Sequence, residues 1–454
     1  MTTAQKDFAK TSLFALTWPI FIEQGLRILV GTVDVLMVSR VSDDAVAALG
    51  QAGQVVYLSI VVFSFISLGA SVVITHHLGA KDRVGADRVA SAAVTANTWI
   101  GLVVSLLVFF FSQPMLRVMQ LPTRLLPLAM QFLPLMGGTL FLEAQNIAIS
   151  AVLRAHGRTR DPMWVTGAQN VLNAIGNGLL LFGLFGFPKL GVMGVAISGV
   201  CSRMVAFGAL WLLLKRRTQV RIRARAYFSF PVHELRRILR IGAPAAGGNI
   251  CWWLAFIAVT AFIARMGSAA LATQTYVMQV GMWVILFAMS LGFATEILIG
   301  HLVGAGDFEA TYRAPFRSVR VGLFLVVGTT SVVALVAPRI LGVFTQDDVI
   351  IATGTVLLRM GLVLETVRLL NWVFVCALRA TGDARFPLGM GILSMLGLWV
   401  PLSGLLGLRA GLGLAGMWIV AFVAVLPRSA AAGSLRGWCT CDRGLPRAVR
   451  TRLN

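Results

Sequence analysis

The segment LRAHGRTRDP, residues 153–162, recurs as LRATGDARFP at residues 378–387, with six of ten positions identical. The two copies are 225 residues apart, and the same offset aligns Pro19 with Pro244. Repetition at a constant register through long stretches of a chain indicates two copies of one structural unit. We therefore predict a fold built from two related halves.

The composition is that of a membrane protein. Of the 454 residues, 57% are hydrophobic and 13% are charged, whereas soluble domains have about a quarter of charged residues. The same apolar excess excludes a disordered chain. The formal net charge of +21 comes from short basic segments between apolar runs, so it indicates orientation in a membrane and not a nucleic-acid partner.

Two sets of six membrane-spanning helices are predicted, because about 20 apolar residues cross the hydrocarbon core of a bilayer. The predicted spans are 12–39, 45–75, 87–111, 127–152, 163–186, 191–214, 237–263, 270–302, 315–337, 350–378, 386–408 and 411–427. An even number of helices gives both sets the same orientation, which predicts a pseudo-twofold axis along the membrane normal and a central cavity. The expected fold class is an all-α polytopic membrane protein with twelve transmembrane helices in two six-helix lobes.

The predicted organisation has four parts. They are an N-terminal six-helix lobe over 1–214, a basic cytoplasmic linker over 215–236, a C-terminal six-helix lobe over 237–427 and an atypical tail over 428–454. Basic residues are more frequent in the loops on the linker side, which predicts that both termini are cytoplasmic. The tail contains Cys439 and Cys441 without zinc-like or redox spacing, and we interpret it as a divergent terminus or the product of an altered reading frame.

Acidic residues lie inside predicted spans, where an ionisable group costs about 2.5–3.5 kcal/mol and needs a partner, a wet cavity or a function. They are Glu23, Asp34, Glu143, Glu296 and Glu365. In the first predicted helix, Glu23, Arg27 and Asp34 share one stripe, and Glu23 can pair with Arg27 at i,i+4. Asp34 has no partner in its own helix. It is therefore a candidate to take up and release a proton, and the alternative is a helix-end residue solvated by lipid headgroups.

Other residues of the first half could complete such a site. Pro19 interrupts the backbone hydrogen bonding of the first helix and is either a static kink or a hinge. Asn170, Asn173 and Asn177 lie on one face of the predicted helix over 163–186. Their amides could bond to the first helix, hold water or serve only in packing.

The second half contains a possible polar site of its own. Glu365 and Arg368 at i,i+3 form a predicted internal pair, and Asn371 follows them on the same helix. Glu296 lies one turn from Gly292, which would let another helix approach closely, and the sequence does not name the partner of this acid.

Amides and aromatic rings recur at helical spacing in the second half and are candidates for a substrate cavity. The residues are Asn249, Trp253, Phe256, Thr260, Tyr276, Gln279 and Trp283. Ring faces can bind flat organic cations, although such sets are more often lipid-facing or packed surfaces.

The sequence carries no recognisable catalytic or metal-binding signature. It lacks the P-loop, H-E-x-x-H and G-x-S-x-G patterns, and GLGLAG at 411–416 opens an apolar span with no strand before it. We therefore expect a protein that is not an enzyme and that has no bound metal.

Three groups of motifs resemble those of the MATE (multidrug and toxic compound extrusion) transporters. They are WPIFIEQGLRILVGTVDVLMVSRVSDDAVAALG at 18–50, LGAKD at 78–82 with VGAGD at 303–307, and the repeated LRAHG and LRATGD segments. The resemblance covers roughly residues 12–418. It implies a twelve-helix, two-lobed antiporter that expels amphipathic, often cationic compounds in exchange for inward H⁺ or Na⁺.

The resemblance also implies roles for individual residues. Asp34 matches the first-helix acid to which coupling-cation binding is assigned, and Pro19 matches the proline linked to bending of that helix. Asn173 and Asn177 match polar positions near the acid. Many relatives have Asp where this chain has Asn177, so Asp34 is expected to act more alone or together with Glu23.

The expected function is a secondary active efflux transporter that exchanges small amphipathic, cationic organic compounds for H⁺, in preference to Na⁺, by alternating access. We expect a monomer in a bacterial-type inner membrane, with the bilayer and small organic substrates as partners and no cofactor beyond the coupling ion. The alternative is a flippase for lipid-linked precursors, which requires a strongly cationic cavity. The candidate basic residues for that cavity are Arg27, Arg203, Arg359 and Arg368.

Overall fold

The computed structural model describes residues 13–119, 121–218, 220, 227 and 232–433. Within this part of the chain the fold is helical. The helices are α1 (Leu13–Ser39), α2 (Asp43–Gly79), α3 (Arg83–Val118), α4 (Leu126–Gly138), α5 (Leu140–Ala155), α6 (Arg160–Phe182), α7 (Val192–Arg217), α8 (Val232–Ala264), α9 (Ser268–Ala305), α10 (Phe308–Phe344), α11 (Asp348–Ala380), α12 (Arg385–Arg409) and α13 (Gly413–Gly433).

Twelve segments of the described chain correspond to the twelve predicted spans. Eight helices, α2, α3 and α7 to α12, are long and apolar enough to cross a membrane, and α4 with α5 forms a ninth, bent span. The remaining three are α1, α6 and α13, with 27, 23 and 21 residues. The protein is therefore a multi-pass membrane protein. Most of the linker and of the tail, including Cys439 and Cys441, lies outside the described residues.

The span predicted over 127–152 is bent, because α4 and α5 meet at an angle of 47°. Thr139 leaves the helical conformation at the break, with φ −108° and ψ 13°. Its hydroxyl donates to the carbonyls of Leu135, at 3.0 Å, and Met136, at 3.2 Å. These carbonyls thus gain a side-chain partner where the regular helical ladder ends, which stabilises the bend.

Two compact units divide the described chain. The N-unit comprises Ile22–Leu78 and Asp82–Gly242, and the C-unit comprises Gly79–Lys81 and the described parts of Met1–Phe21 and Ala243–Asn454. The boundary between the two units therefore falls within α1 and within α8. It lies within three residues of Pro19 in α1 and of Pro244 in α8. Proline removes a backbone donor inside a helix, so both changes of unit occur where the helical ladder is weakest.

In the N-unit, α3 packs against α4 and α5, and α7 packs against α4, α5 and α6. The buried apolar core includes Phe63, Leu133, Leu140 and Leu181. Lipid tails are as apolar as leucine, so close packing, more than removal from water, holds these helices together in a membrane.

In the C-unit, α11 lies against α9, α10 and α13. A Cβ atom at Gly292 of α9 would overlap the indole of Trp372 on α11. This confirms the prediction that Gly292 lets another helix approach closely. Leu16 and Ile20 from the start of α1 belong to the same buried core as Val284 of α9.

The repeated LGAKD and VGAGD motifs start the next helix in each half. Asp82 accepts a hydrogen bond of 2.8 Å from the backbone N–H of Gly85 at the start of α3. Asp307 accepts one of 3.0 Å from the N–H of Ala310 at the start of α10. Both aspartates therefore act as N-caps, which satisfy backbone donors that a helix start leaves unpaired.

Candidate functional site

The asparagine face of α6 meets α1 at Asp34. The side-chain amide of Asn177 donates a hydrogen bond of 2.6 Å to Oδ1 of Asp34 and lies 3.3 Å from Oδ1 of Asn173. About two turns before Asn177 on the same face, Asn170 donates to the backbone carbonyl of Leu26 at 2.6 Å. Two amides of this face thus bond to the first helix, which is one of the predicted uses.

Packing between α6 and α7 fixes these amides. Asn173 and Asn177 are buried, whereas Asp34 is partly exposed. The hydroxyl of Ser198 on α7 donates to the backbone carbonyl of Asn173 at 2.8 Å, and a Cβ at Gly176 would overlap the Ser198 side chain. The glycine thus brings α7 against α6, and the amides have little freedom to turn away from α1.

A chain of ion pairs runs beside this site. Glu23 lies 3.2 Å from Arg27, the i,i+4 pair that the sequence predicts, and 2.7 Å from Arg154 on α5. Arg27 also lies 3.8 Å from Glu143 on α5, and Glu143 lies 3.3 Å from Arg203 on α7. The five charges alternate in sign through α1, α5 and α7, which compensates most of the cost of burying them.

Arg203 also interacts with groups outside the ion pairs. Its backbone carbonyl accepts a hydrogen bond of 3.4 Å from Asn146, and its guanidinium interacts electrostatically with Asp34. Neither Arg154 nor Arg203 was predicted to belong to this cluster. The only available signal was the place of Arg154 in the repeated LRAHG motif.

The second-half candidates form two separate pairs. Glu365 and Arg368 lie 2.6 Å apart, as their spacing predicts. Glu296 on α9 lies 2.7 Å from Arg379 on α11, and both side chains are buried. Arg379 is the arginine of LRATGD, at the repeat position of Arg154, so the motif arginine reaches a buried glutamate in each half.

The predicted substrate-cavity set is only partly brought together. Gln279 and Trp283 line a cavity of about 500 Å³ between α9 and α10, with Phe344 on its other side. Tyr276 stacks on Phe344 at 5.4 Å between ring centroids.

Asn249 and Trp253 of α8 are not among the residues that line this cavity, and their part in a substrate cavity stays a prediction. Trp253 packs instead against Trp252 and Phe256 of its own helix, with ring centroids 5.1 and 5.9 Å apart. Helical spacing placed these residues on common stripes, but it carried no information on which helix the stripe of α8 would face.

Among the described residues there is no cluster of three or more His, Cys, Asp or Glu side chains that could hold a metal ion.

Comparison with known protein families decides the identity of the chain. The MatE family model matches residues 19–179 and 244–405, which together make up more than half of the sequence and include both repeats. The chain belongs to the MATE family. MATE proteins are transporters and not enzymes, in agreement with the missing catalytic signatures.

Known MATE proteins are similar to this chain over most of its length. The uncharacterized transporter YisQ of Bacillus subtilis is 40% identical over 419 residues, 92% of each chain. The probable multidrug resistance protein YoeA of the same organism is 26% identical, over 90% of this chain and 89% of its own. A MATE protein crystallised in a bent conformation superposes with a TM-score of 0.87 at 22% identity, over 98% of this chain and 97% of that one, and so shares its fold.

The arginines considered for a flippase cavity are mostly paired with acids. Arg27 and Arg203 both contact Glu143, and Arg368 pairs with Glu365. Three of the four arginines named for the flippase alternative thus have an acid within 4 Å.

Proposed function

We propose that this MATE protein is a secondary active efflux transporter that exchanges small amphipathic, cationic organic compounds for inward H⁺, with the proton bound at Asp34. The observation that carries the proposal is the 2.6 Å hydrogen bond from Asn177 to Asp34. It joins one ionisable carboxylate to a neutral amide inside the bundle. A carboxyl group in that setting can bind a proton and lose it again as its surroundings change.

We favour H⁺ over Na⁺ as the coupling ion because Asp34 is one carboxylate bonded to a neutral amide. A bound Na⁺ needs several oxygen ligands around it. A proton needs only the carboxylate oxygen.

Pro19 is the proposed hinge for alternating access. It lies within three residues of the point where α1 passes from the C-unit to the N-unit. The missing backbone donor at a proline lowers the cost of bending there. Relatives named as probable multidrug resistance proteins support efflux of organic compounds as the purpose of this cycle.

The proposed setting follows from the distribution of charge. The loops on the linker side carry more basic residues, which favours a cytoplasmic location for both termini in a bacterial-type inner membrane. We propose that the transporter acts as a monomer with the bilayer and its organic substrates as partners.

The test is uptake of a fluorescent organic cation into proteoliposomes under an imposed pH gradient, with and without a sodium gradient. We expect proton-driven uptake by the wild type and its loss in Asp34→Asn. The control Asp348→Asn makes the same chemical change at an exposed position at the start of α11 and should transport normally. Uptake that follows only the sodium gradient, or an Asp34→Asn variant as active as the control, would refute the proposal.

A further inference from the structure

The ionic chain of the N-unit has an excess of one positive charge. Its members are three arginines and two glutamates, connected in the order Arg154, Glu23, Arg27, Glu143 and Arg203. Glu23 and Glu143 each contact two arginines. Nη1 of Arg203, at one end of the chain, has no hydrogen-bond partner although it is buried.

Asp34 supplies the missing negative charge. It follows Glu23 by eleven residues on α1, so the two side chains are separated by roughly 20° around the helix and about 16 Å along it. The guanidinium of Arg203 acts on Asp34 electrostatically. The facing residues of α6, Asn173 and Asn177, are neutral amides and add no charge. The six ionisable groups from α1, α5 and α7 therefore sum to zero when Asp34 is ionised and to +1 when it is protonated.

We propose that the net charge of these six residues, and not direct contact with the Asp34 carboxylate, sets the affinity of the N-unit for organic cations. A proton on Asp34 then expels a cationic substrate through the excess charge of the arginines, so the proton and the substrate compete without sharing the same atoms. This inference rests on the proposed function, because it assumes that organic cations enter the N-unit.

The size of the effect follows from Coulomb's law. Two unit charges about 12 Å apart at an effective dielectric constant near 20 interact by roughly 1.4 kcal/mol, which is about tenfold in affinity. Each change of one unit in the net charge of the cluster should thus change cation affinity by about tenfold.

Substitutions that change the net charge of the cluster distinguish competition through charge from competition for the Asp34 carboxylate. Asp34→Asn leaves the cluster at +1, and Arg203→Gln leaves it at −1. The double variant Asp34→Asn/Arg203→Gln returns it to zero while removing the carboxylate. Arg203→Lys keeps the charge and is the matched control for loss of the guanidinium shape.

The experiment is equilibrium binding of tetraphenylphosphonium to the purified full chain in nanodiscs of neutral lipid, in mildly alkaline buffer and without any gradient. Empty nanodiscs correct for partition into lipid. We expect affinity to fall about tenfold in Asp34→Asn, to rise about tenfold in Arg203→Gln, and to return to within threefold of wild type in the double variant. Arg203→Lys keeps the net charge and should stay within threefold of the wild type. Arg313→Gln removes an exposed positive charge of the C-unit, outside the cluster, and should bind as the wild type does.

A double variant that binds as weakly as Asp34→Asn would overturn the inference, because the carboxylate itself would then be the ligand. If Arg203→Gln fails to fold, Asp34→Asn/Arg154→Gln gives a second cluster of zero net charge, because Arg154 is at the other end of the row of ion pairs. This double variant must likewise restore the affinity for tetraphenylphosphonium. Binding is measured without a gradient. Its outcome is therefore independent of the uptake assay. If the affinities follow the net charge but a pH gradient does not drive uptake, the proposed proton antiport is refuted and this inference stands.

Discussion

Asn177 of α6 donates a hydrogen bond of 2.6 Å to Asp34 of α1, which places the neutral end of the asparagine face against the acid proposed to carry the proton. The donor is held by the contact of α6 with α7 through Gly176 and Ser198. Asp34 thus accepts its hydrogen bond from a neutral amide whose position depends on the packing of α6 against α7.

The first prediction concerns this hydrogen bond. Asn177→Leu should lower uptake driven by a pH gradient by about tenfold, because a hydrogen bond to a charged group contributes about 1.5–3 kcal/mol. The matched control is Asn170→Leu, which loses a bond to the backbone carbonyl of Leu26 on the same helix pair. It should lower the thermal unfolding temperature but keep the pH dependence of uptake. Identical transport behaviour of the two variants would contradict a special role for Asn177.

The second prediction concerns the buried pair of the C-unit. Arg379→Gln leaves Glu296 as a buried, uncompensated charge and should reduce the free energy of unfolding by about 3–5 kcal/mol. Replacing both residues, Glu296→Gln with Arg379→Gln, should recover much of the loss. Arg313→Gln breaks the exposed pair with Glu309 and should change stability by less than about 1 kcal/mol. Denaturant unfolding in detergent measures all three, and equal effects of the buried and exposed changes would count against this account.

The third prediction concerns the packing of α9 against α11. Gly292→Ala places a methyl group where the indole of Trp372 lies and should cost about 1–3 kcal/mol. Gly281→Ala, on the same helix, meets open space and should be neutral or stabilise the helix by up to about 1 kcal/mol. Thermal unfolding compares the two variants, and destabilisation of the same size in both would show that the close approach at Gly292 is unimportant.

The fourth prediction concerns the cap of α3. The backbone N–H of Gly85, and then the neighbouring His77, hold the pKa of Asp82 below its usual range. A lowered folded-state pKa means that the cap is fully present above the unfolded value, near pH 4, and is lost as the pH falls through the folded value. Asp82→Ala should therefore cost about 1 kcal/mol at neutral pH and less in acid.

The control for the cap is Asp82→Asn, which can still accept the bond from Gly85 and should retain most of the stability at neutral pH. Unfolding midpoints measured across the acidic range distinguish the variants. If Asp82→Ala loses the same stability at every pH, its charge does not contribute in the way described.

Relations within one helix could be predicted from the sequence. The pairs Glu23 with Arg27 and Glu365 with Arg368 follow from helical periodicity, which alone decides which side chains share a face. The asparagine face of α6 followed in the same way. The two-lobed fold followed from hydrophobic length and from the repeat at 225 residues, both of which are properties of the chain itself.

Relations between helices could not be predicted. Arg154 and Arg379 occupy equivalent repeat positions, but Glu23 and Glu296, their partners, do not. The repeat therefore gave no rule for pairing them. The long arginine side chain reaches whichever acid the packing brings near, and that packing depends on glycine contacts such as Gly292 with Trp372.

The bend between α4 and α5 could not be predicted from the sequence, for a related reason. Residues 127–152 read as one apolar span because hydropathy does not register the hydroxyl of Thr139 bonding back to the carbonyls that precede it. A break of this kind depends on a local hydrogen bond, and the hydrophobic pattern on both sides is the same.

The central claim is that Asp34 couples proton movement to transport, and the most direct measurement separates coupling from transport. Proteoliposomes with the wild type or Asp34→Asn are assayed for accumulation of an organic cation against its gradient and, without any pH gradient, for exchange of saturating labelled and unlabelled substrate. We predict that Asp34→Asn loses accumulation but keeps exchange. Accumulation by Asp34→Asn equal to that of the wild type would contradict the account.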